Sequence, residues 1–379
     1  MSEKALRWII NIAGIVCLYA FLAIRVLPMF NAVLLEKYIP EYWENTKWGE
    51  LYYFNFIKHF REKNLPEYKV KYRFTSKHPD VHDADILTFG DSFFDFSRMT
   101  TFPEQLSDSL QQKVFYARMD QPLRYLAENN YVKGDKKYLI FETAERFLHD
   151  RFVQPQPTDA HIDNRSGIRK TIADVRDFLF LENTELLYST LLSRSYFTTG
   201  IYSDITTVKF DLFRQITPQT PVYSLNYKNK PWLFGSLQLD DGPRGYKCRH
   251  TPEEINNYCD NIELLANELR EEYNLEMIFM IIPSKYTVYH HIVGTEDSLY
   301  GNFIPKMYHE LNNRGIPVIE FYDEFMANRF DKMLYYGTDT HWTEDGLHIA
   351  LNKSIRFFDS LEAENCYVPD TNTQFLSQK

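Results

Sequence analysis

The chain reads as an α/β protein of three layers, α/β/α, built around a central parallel sheet. Two features of the sequence lead there. Short continuous apolar runs of strand length end in glycine or proline, and between them lie stretches whose apolar residues recur with helical period. Strands buried on both faces read as unbroken apolar runs, because helices cover both sides of a parallel sheet. The composition, 44% hydrophobic and 25% charged over 379 residues, is that of a globular protein and excludes a wholly disordered chain.

Residues Trp8 to Ile24 are uncharged and mostly apolar, with Lys4 and Arg7 before them and Arg25 after. The run is at the short end for a membrane-spanning helix; Leu27, Met29 and Phe30 lengthen the apolar zone, and Arg25 can snorkel. No small-residue cleavage pattern follows, so the expectation is an N-terminal transmembrane helix over residues 1–30, with the rest of the chain on the extracytoplasmic side. The competing reading is a buried N-terminal helix. Residues 31–80 are polar and aromatic without sustained period, and read as a linker and lead-in segment.

The α/β domain is expected over residues 81–362. Its strands are predicted at Ala84–Gly90, Lys113–Ala117, Tyr138–Thr143, Leu275–Pro283 and Ile316–Phe321. Ile255, Tyr258, Ile262, Leu265 and Leu269 share one helical face, and Thr251, Pro252 and Glu254 supply the capping box that starts it. Leu347, Ala350, Leu351, Ile355 and Phe358 repeat the pattern near the C-terminus. Residues 148–250 break the rhythm and read as a helical and irregular insertion packed over the α/β core, with a helix expected over Arg169–Arg194; residues 363–379 form a tail.

A net charge of −10 argues against binding nucleic acid. The 27 Tyr and 29 Phe suit a carbohydrate-facing surface or an aromatic core equally well. Cys248 and Cys259 are eleven residues apart and fit either a disulfide or two free thiols; with His250 they lack zinc spacing, and no metal or cofactor is expected.

Glycine is scarce, only 14 residues, which draws attention to Gly90-Asp91-Ser92 at the end of the first good strand. A serine at the C-terminal edge of a parallel strand, beside a helix start, projects into the crevice where such sheets bind ligands. The plainer reading makes Ser92 a helix cap. A second cluster, Tyr336 to Gly346, holds Asp339-Thr340-His341-Trp342. An Asp and a His two apart in an extended loop face the same way, so Asp339 can hold one imidazole nitrogen of His341 while the other meets a nucleophile.

Together, Gly90-Asp91-Ser92-Phe93 and Asp339-Thr340-His341-Trp342 resemble the SGNH (GDSL-like) hydrolase superfamily, and within it the branch that includes the SGNH-like domains of alginate and related polysaccharide O-acetyltransferases. Tyr138–Arg146 is similar to that family's strand ending in Glu-Arg, and Ile281–Tyr289 to its strand ending in Pro-x-Lys. The order of motifs differs from the alginate enzymes: here the serine comes first, as in ordinary SGNH enzymes. The family's Asn-containing block has no clear counterpart, leaving the Ser92 amide as the identifiable oxyanion donor.

The resemblance implies a membrane-anchored O-acetyltransferase with Ser92 as nucleophile, His341 as base and Asp339 as orienting acid. Its acceptor would be a polysaccharide or oligosaccharide hydroxyl, and its acyl group would come from a separate multi-pass membrane O-acyltransferase. An acetylesterase with the same triad, or an inactive polysaccharide-binding scaffold, are the alternatives. Arg146 and Lys285 follow strands ending near Ser92 and are candidates for binding an anionic sugar, against a Glu145–Arg146 surface pair and a solvated lysine. Trp342 is a candidate sugar-stacking wall or a packing residue.

Overall fold

The computed structural model describes Trp8 and residues 11–16, 49–62, 79–95, 99–118, 121–155, 199–218, 220–239 and 242–366. Along the chain its elements run α1 (Glu50–Asn55), β1 (Ile86–Gly90), α2 (Phe102–Leu110), β2 (Val114–Arg118), α3 (Pro122–Glu128), β3 (Lys137–Ala144), α4 (Glu145–Phe152) and α5 (Thr199–Phe213). There follow β4 (Val222–Tyr227), β5 (Lys230–Phe234), α6 (Pro252–Tyr273), β6 (Leu275–Ile282), α7 (Lys285–Tyr289), α8 (Phe303–Asn313), α9 (Tyr322–Asn328) and α10 (Glu344–Cys366).

The described residues divide into two compact units. The larger contains residues 66–160, 237–336 and 341–379 and holds the expected parallel sheet, in the order β2-β1-β3-β6. Ile86 faces Val114 on one side and Tyr138 on the other, and Lys137 faces Leu275. The run expected as a fifth strand, Ile316–Phe321, contributes a single parallel bridge, Phe279 to Val318. Pro317 accepts from the Phe279 N–H but has no N–H of its own, which limits any ladder there.

Residue parity along β3 shows how the sheet is covered. Tyr138 meets Phe358 of α10, whereas Phe141, three residues on and therefore on the other face, meets Phe152 of α4 and Phe279 of β6. Helices thus lie on both faces, giving the α/β/α layering. The capping box of α6 forms: Glu254 N–H donates to Thr251 Oγ1 at 3.2 Å, and Thr251 N–H to Glu254 Oε2 at 2.8 Å. Ile255, Tyr258, Ile262, Leu265 and Leu269 are all buried.

The smaller unit consists of residues 1–65, 161–236 and 337–340. Leu51, Tyr52, Phe56, Ile57 and Phe60 from the lead-in segment share one core with Phe210 of α5 and Leu233 of the β4–β5 hairpin. The tetrapeptide Gly337–Thr340 joins this unit, Leu233 N–H donating to the Gly337 carbonyl at 2.8 Å.

Of the apolar N-terminal run, Trp8 and residues 11–16 are described, as helix; the rest of the expected anchor, and the helix expected over Arg169–Arg194, lie outside the described residues. Among the described residues no helix is long and apolar enough to cross a membrane. Cys248 and Cys259 are not joined in a disulfide, and Cys259 is buried.

Candidate active site

The turn that carries Ser92 is built by two neighbouring acids. At Gly90 a side chain would start 2.4 Å from Glu142 Oε2 and 2.9 Å from Glu142 Cβ, so only glycine fits beside β3. Glu142 is fully buried, and its Oε2 accepts the Asp91 N–H at 2.7 Å. Burial, and then the Asp91 carboxylate, push the Glu142 carboxyl well above its usual range. Asp91 folds the chain back on itself. Its Oδ1 accepts Phe93 N–H at 3.1 Å, its Oδ2 accepts Ala144 N–H at 3.3 Å, and its carbonyl accepts Phe94 N–H at 3.2 Å.

Ser92 therefore sits on a hydrogen-bonded turn, Asp91–Phe94, and the next described helix begins at Phe102, so the expected helix start beside it is replaced by this turn. Because Asp91 takes up the next two amides, the turn is fixed without using the amide of Ser92. That N–H meets no acceptor among the described residues.

Opposite Ser92 lies the segment after Thr340. Tyr335 and Trp342 form an antiparallel bridge, Tyr336 N–H donates to the His341 carbonyl at 3.2 Å, and Thr343 N–H to the Leu334 carbonyl at 2.9 Å. These bonds and the Phe93 ring, 5.1 Å from the imidazole between centroids, set the position of His341, which is buried. His341 Nε2 stands 2.7 Å from Ser92 Oγ. A serine engaged by imidazole in this way is not serving as a helix cap. A hydroxyl, an imidazole and an unused backbone N–H in one place can activate a nucleophile and receive a developing oxyanion.

Asp339 belongs to the smaller unit, where it is fully buried and its Oδ2 accepts the Glu50 N–H at 2.9 Å. Arg146 is buried, its guanidinium 4.6 Å above the Phe147 ring and 5.7 Å from the Phe93 ring, and among the described residues its Nη1 has no hydrogen-bond partner. The surface pair with Glu145 does not form. Glu145 is buried and accepts instead from Ser284 N–H, Thr287 Oγ1 and Tyr300 OH, at 2.7, 2.7 and 2.8 Å.

Lys285 is wholly enclosed, at 0% exposure, so it is neither a solvated lysine nor a cation open to the cleft. Trp342 is also at 0% exposure, packed edge-on against Phe93 and tilted against Phe102, and no sugar ring can stack on it in this conformation. The sequence reading missed Glu142, Glu50 and Asp95. A glutamate inside the apolar strand Tyr138–Thr143 was the available signal for the first. Asp95, three residues after Ser92, has its carboxyl raised by burial, an effect opposed by the Arg118 guanidinium.

Residues 230–353 match the model of a family described as the SGNH hydrolase-like domain of acetyltransferase AlgX. The chain resembles that domain. The matched third includes Asp339, His341, Trp342 and Lys285 but neither Ser92 nor Arg146, whose placement rests on the geometry above. Among solved structures, a member of the lipolytic G-D-S-L family from Veillonella parvula DSM 2008 aligns over 72% of this chain and 97% of its own, at 12% identity and a TM-score of 0.33. No curated protein matches the chain at a significant level. The resemblance is to a hydrolase and acyltransferase class of domain.

Proposed function

We propose that this protein is an SGNH-like O-acetyltransferase that modifies polysaccharide hydroxyls through an acyl-serine intermediate. The observation that carries this reading is the 2.7 Å contact between Ser92 Oγ and His341 Nε2. In the proposed reaction His341 Nε2 takes the Ser92 proton as Oγ attacks the acyl carbonyl, and the Ser92 N–H receives the oxyanion. The donor's leaving group departs with that proton. A sugar hydroxyl then attacks the acyl-serine, passes its proton to Nε2, and Ser92 recovers it as the new ester leaves. Asp339, two residues before the base, is assigned the task of orienting the imidazole.

Arg146 is assigned to the acceptor, since a guanidinium whose Nη1 has no hydrogen-bond partner among the described residues suits a carboxylate or another anionic substituent. The apolar run Trp8–Ile24 is assigned to anchoring in the cytoplasmic membrane, with the SGNH-like domain outside and a multi-pass O-acyltransferase as acyl source. The same serine and histidine also fit an acetylesterase, in which water replaces the sugar.

The test is acyl transfer from a chromogenic acetyl ester, with and without acidic oligosaccharides, by wild type and by folded Ser92→Ala, His341→Ala and double variants. Each single variant is expected to lose turnover, the double being scarcely worse than either, because such residues act as one unit. Acetylated oligosaccharide formed at the wild-type rate by Ser92→Ala sinks the proposal.

A further inference from the structure

We infer that Glu62, deep in the lead-in segment, is a positioning residue for Asp339; the inference rests on the triad reading above. The tetrapeptide Gly337–Thr340 presents a cluster of donors to the smaller unit, and Glu62 receives most of them. Its carboxylate is buried, at 4% exposure. Oε2 accepts Thr338 N–H at 2.7 Å and Thr338 Oγ1 at 2.9 Å, while Oε1 accepts Gly337 N–H at 3.3 Å. Three buried donors converging on one side chain need an acceptor with two oxygens, and leaving such donors unpaired is costly.

The other side of the loop is held just as closely. Leu51 N–H donates to the Thr338 carbonyl at 3.0 Å, and Glu50 N–H to Asp339 Oδ2 at 2.9 Å. Thr340 Oγ1 donates to the Glu50 carboxylate. Gly49 adopts a φ of 98°, and a Cβ there would lie 2.4 Å from the Thr338 carbonyl oxygen. Residues 49–51 therefore press on Thr338 from one direction while Glu62 draws it from another. Thr338 and Thr340, the chain neighbours of Asp339, are both fixed, which sets its backbone, and the Glu50 N–H holds its carboxylate. A displacement of about 1 Å at a catalytic group can cost on the order of a hundredfold in rate, which makes the clamp consequential for turnover.

The experiment is a double-mutant cycle on the full-length protein in detergent, with 4-nitrophenyl acetate as substrate. It compares wild type, Glu62→Ala, Glu62→Gln, Asp339→Asn, each Glu62 change combined with Asp339→Asn, and Ser92→Ala. Folding of each is checked by circular dichroism and thermal melting. Glu62→Gln keeps one acceptor oxygen and sets an N–H₂ donor against the loop, so kcat is expected to fall about tenfold; Glu62→Ala should lose about a hundredfold. KM should change by less than about twofold. In the Asp339→Asn background either Glu62 change should cost less than about threefold more, since residues acting through one another are non-additive.

An unchanged kcat in Glu62→Gln overturns the inference, as does a Glu62 effect of equal size in both backgrounds, which would mark independent structural damage. If Glu62→Ala does not fold, the Gln cycle decides. Turnover of the ester by Ser92→Ala removes the triad reading itself, an outcome distinct from an inert Glu62 with a dead Ser92→Ala.

Discussion

Replacing Glu142 by Gln should make the protein relatively more stable as pH rises. Glu142 is fully buried beneath the serine turn, its Oε2 accepts the Asp91 N–H, and among the described residues its Oε1 has no hydrogen-bond partner. Burial and the adjacent Asp91 carboxylate raise its folded pKa well above the usual carboxylate range. Below the unfolded pKa both states hold the proton and the carboxyl costs nothing in pH dependence. Above it the unfolded chain releases the proton while the folded protein retains it, so stability falls with pH until the folded carboxyl also ionises. The slope approaches about 1.4 kcal/mol per pH unit, or roughly 2.7 kcal/mol between pH 5 and 7 for as long as the folded group stays protonated. Gln keeps the carbonyl acceptor for Asp91 and cannot ionise, so it lacks this slope. Urea unfolding of wild type and Glu142→Gln at half-unit steps from pH 4.5 to 8 measures the difference, in which the other titrating groups largely cancel. Parallel stability curves, or a Gln variant that loses ground as pH rises, would refute the argument that Glu142 is buried as the neutral acid.

Gly90→Ala should destabilise by about 2–4 kcal/mol through the clash with Glu142 and the lost Asp91 bond, and should lower kcat; a urea midpoint within error of wild type contradicts it. Arg146→Met keeps the packing on Phe147 but removes the charge. It should raise KM for an acidic oligosaccharide acceptor about tenfold or more while leaving hydrolysis of a small acetyl ester within about twofold. Equal effects on both substrates would place Arg146 in the chemistry instead. Deleting residues 1–30 should move the protein to the soluble fraction after ultracentrifugation with its melting transition intact; a folded truncate still sedimenting with membranes rules out a sole N-terminal anchor.

The sheet was legible because its strands are continuous apolar runs, and the Thr251–Glu254 capping box of α6 because its spacing is local. The weak fifth strand looked as strong as the others by hydrophobicity; its proline is what restricts it. The β4–β5 hairpin was not legible at all. Its turn residues, Lys228 and Asn229, both adopt positive φ, of 50° and 59°, a geometry normally announced by Asn-Gly or Asp-Gly. Ser92 and His341 could be singled out from two short motifs, whereas the groups around them could not. Glu62 meets Thr338 across a sequence separation of 276 residues, and nothing in an aromatic, aperiodic lead-in segment marks such a contact. Trp342 and Lys285 drew attention by residue type and neighbourhood, but burial is a property of the folded chain, and it encloses both.

The side chain that bears most on transfer versus hydrolysis is Arg146. Enclosing a guanidinium without a carboxylate is unfavourable, and the faces of Phe147 and Phe93 offset only part of that cost. Its buried Nη1 has no partner among the described residues, while Glu145, the acid next to it in sequence, is committed to Ser284, Thr287 and Tyr300. In the proposed reaction, water as acceptor would have no use for a cation held in this way. A sugar acceptor does, because its hydroxyl must displace water at the acyl-serine and therefore must be bound by some other part of the molecule. Phe93 follows Ser92 directly and touches both His341 and the Arg146 guanidinium, so an anionic group paired with Arg146 would be fixed one side chain away from the nucleophile. On the proposed reading, that arrangement suits an acceptor carrying negative charge, bound one side chain from Ser92.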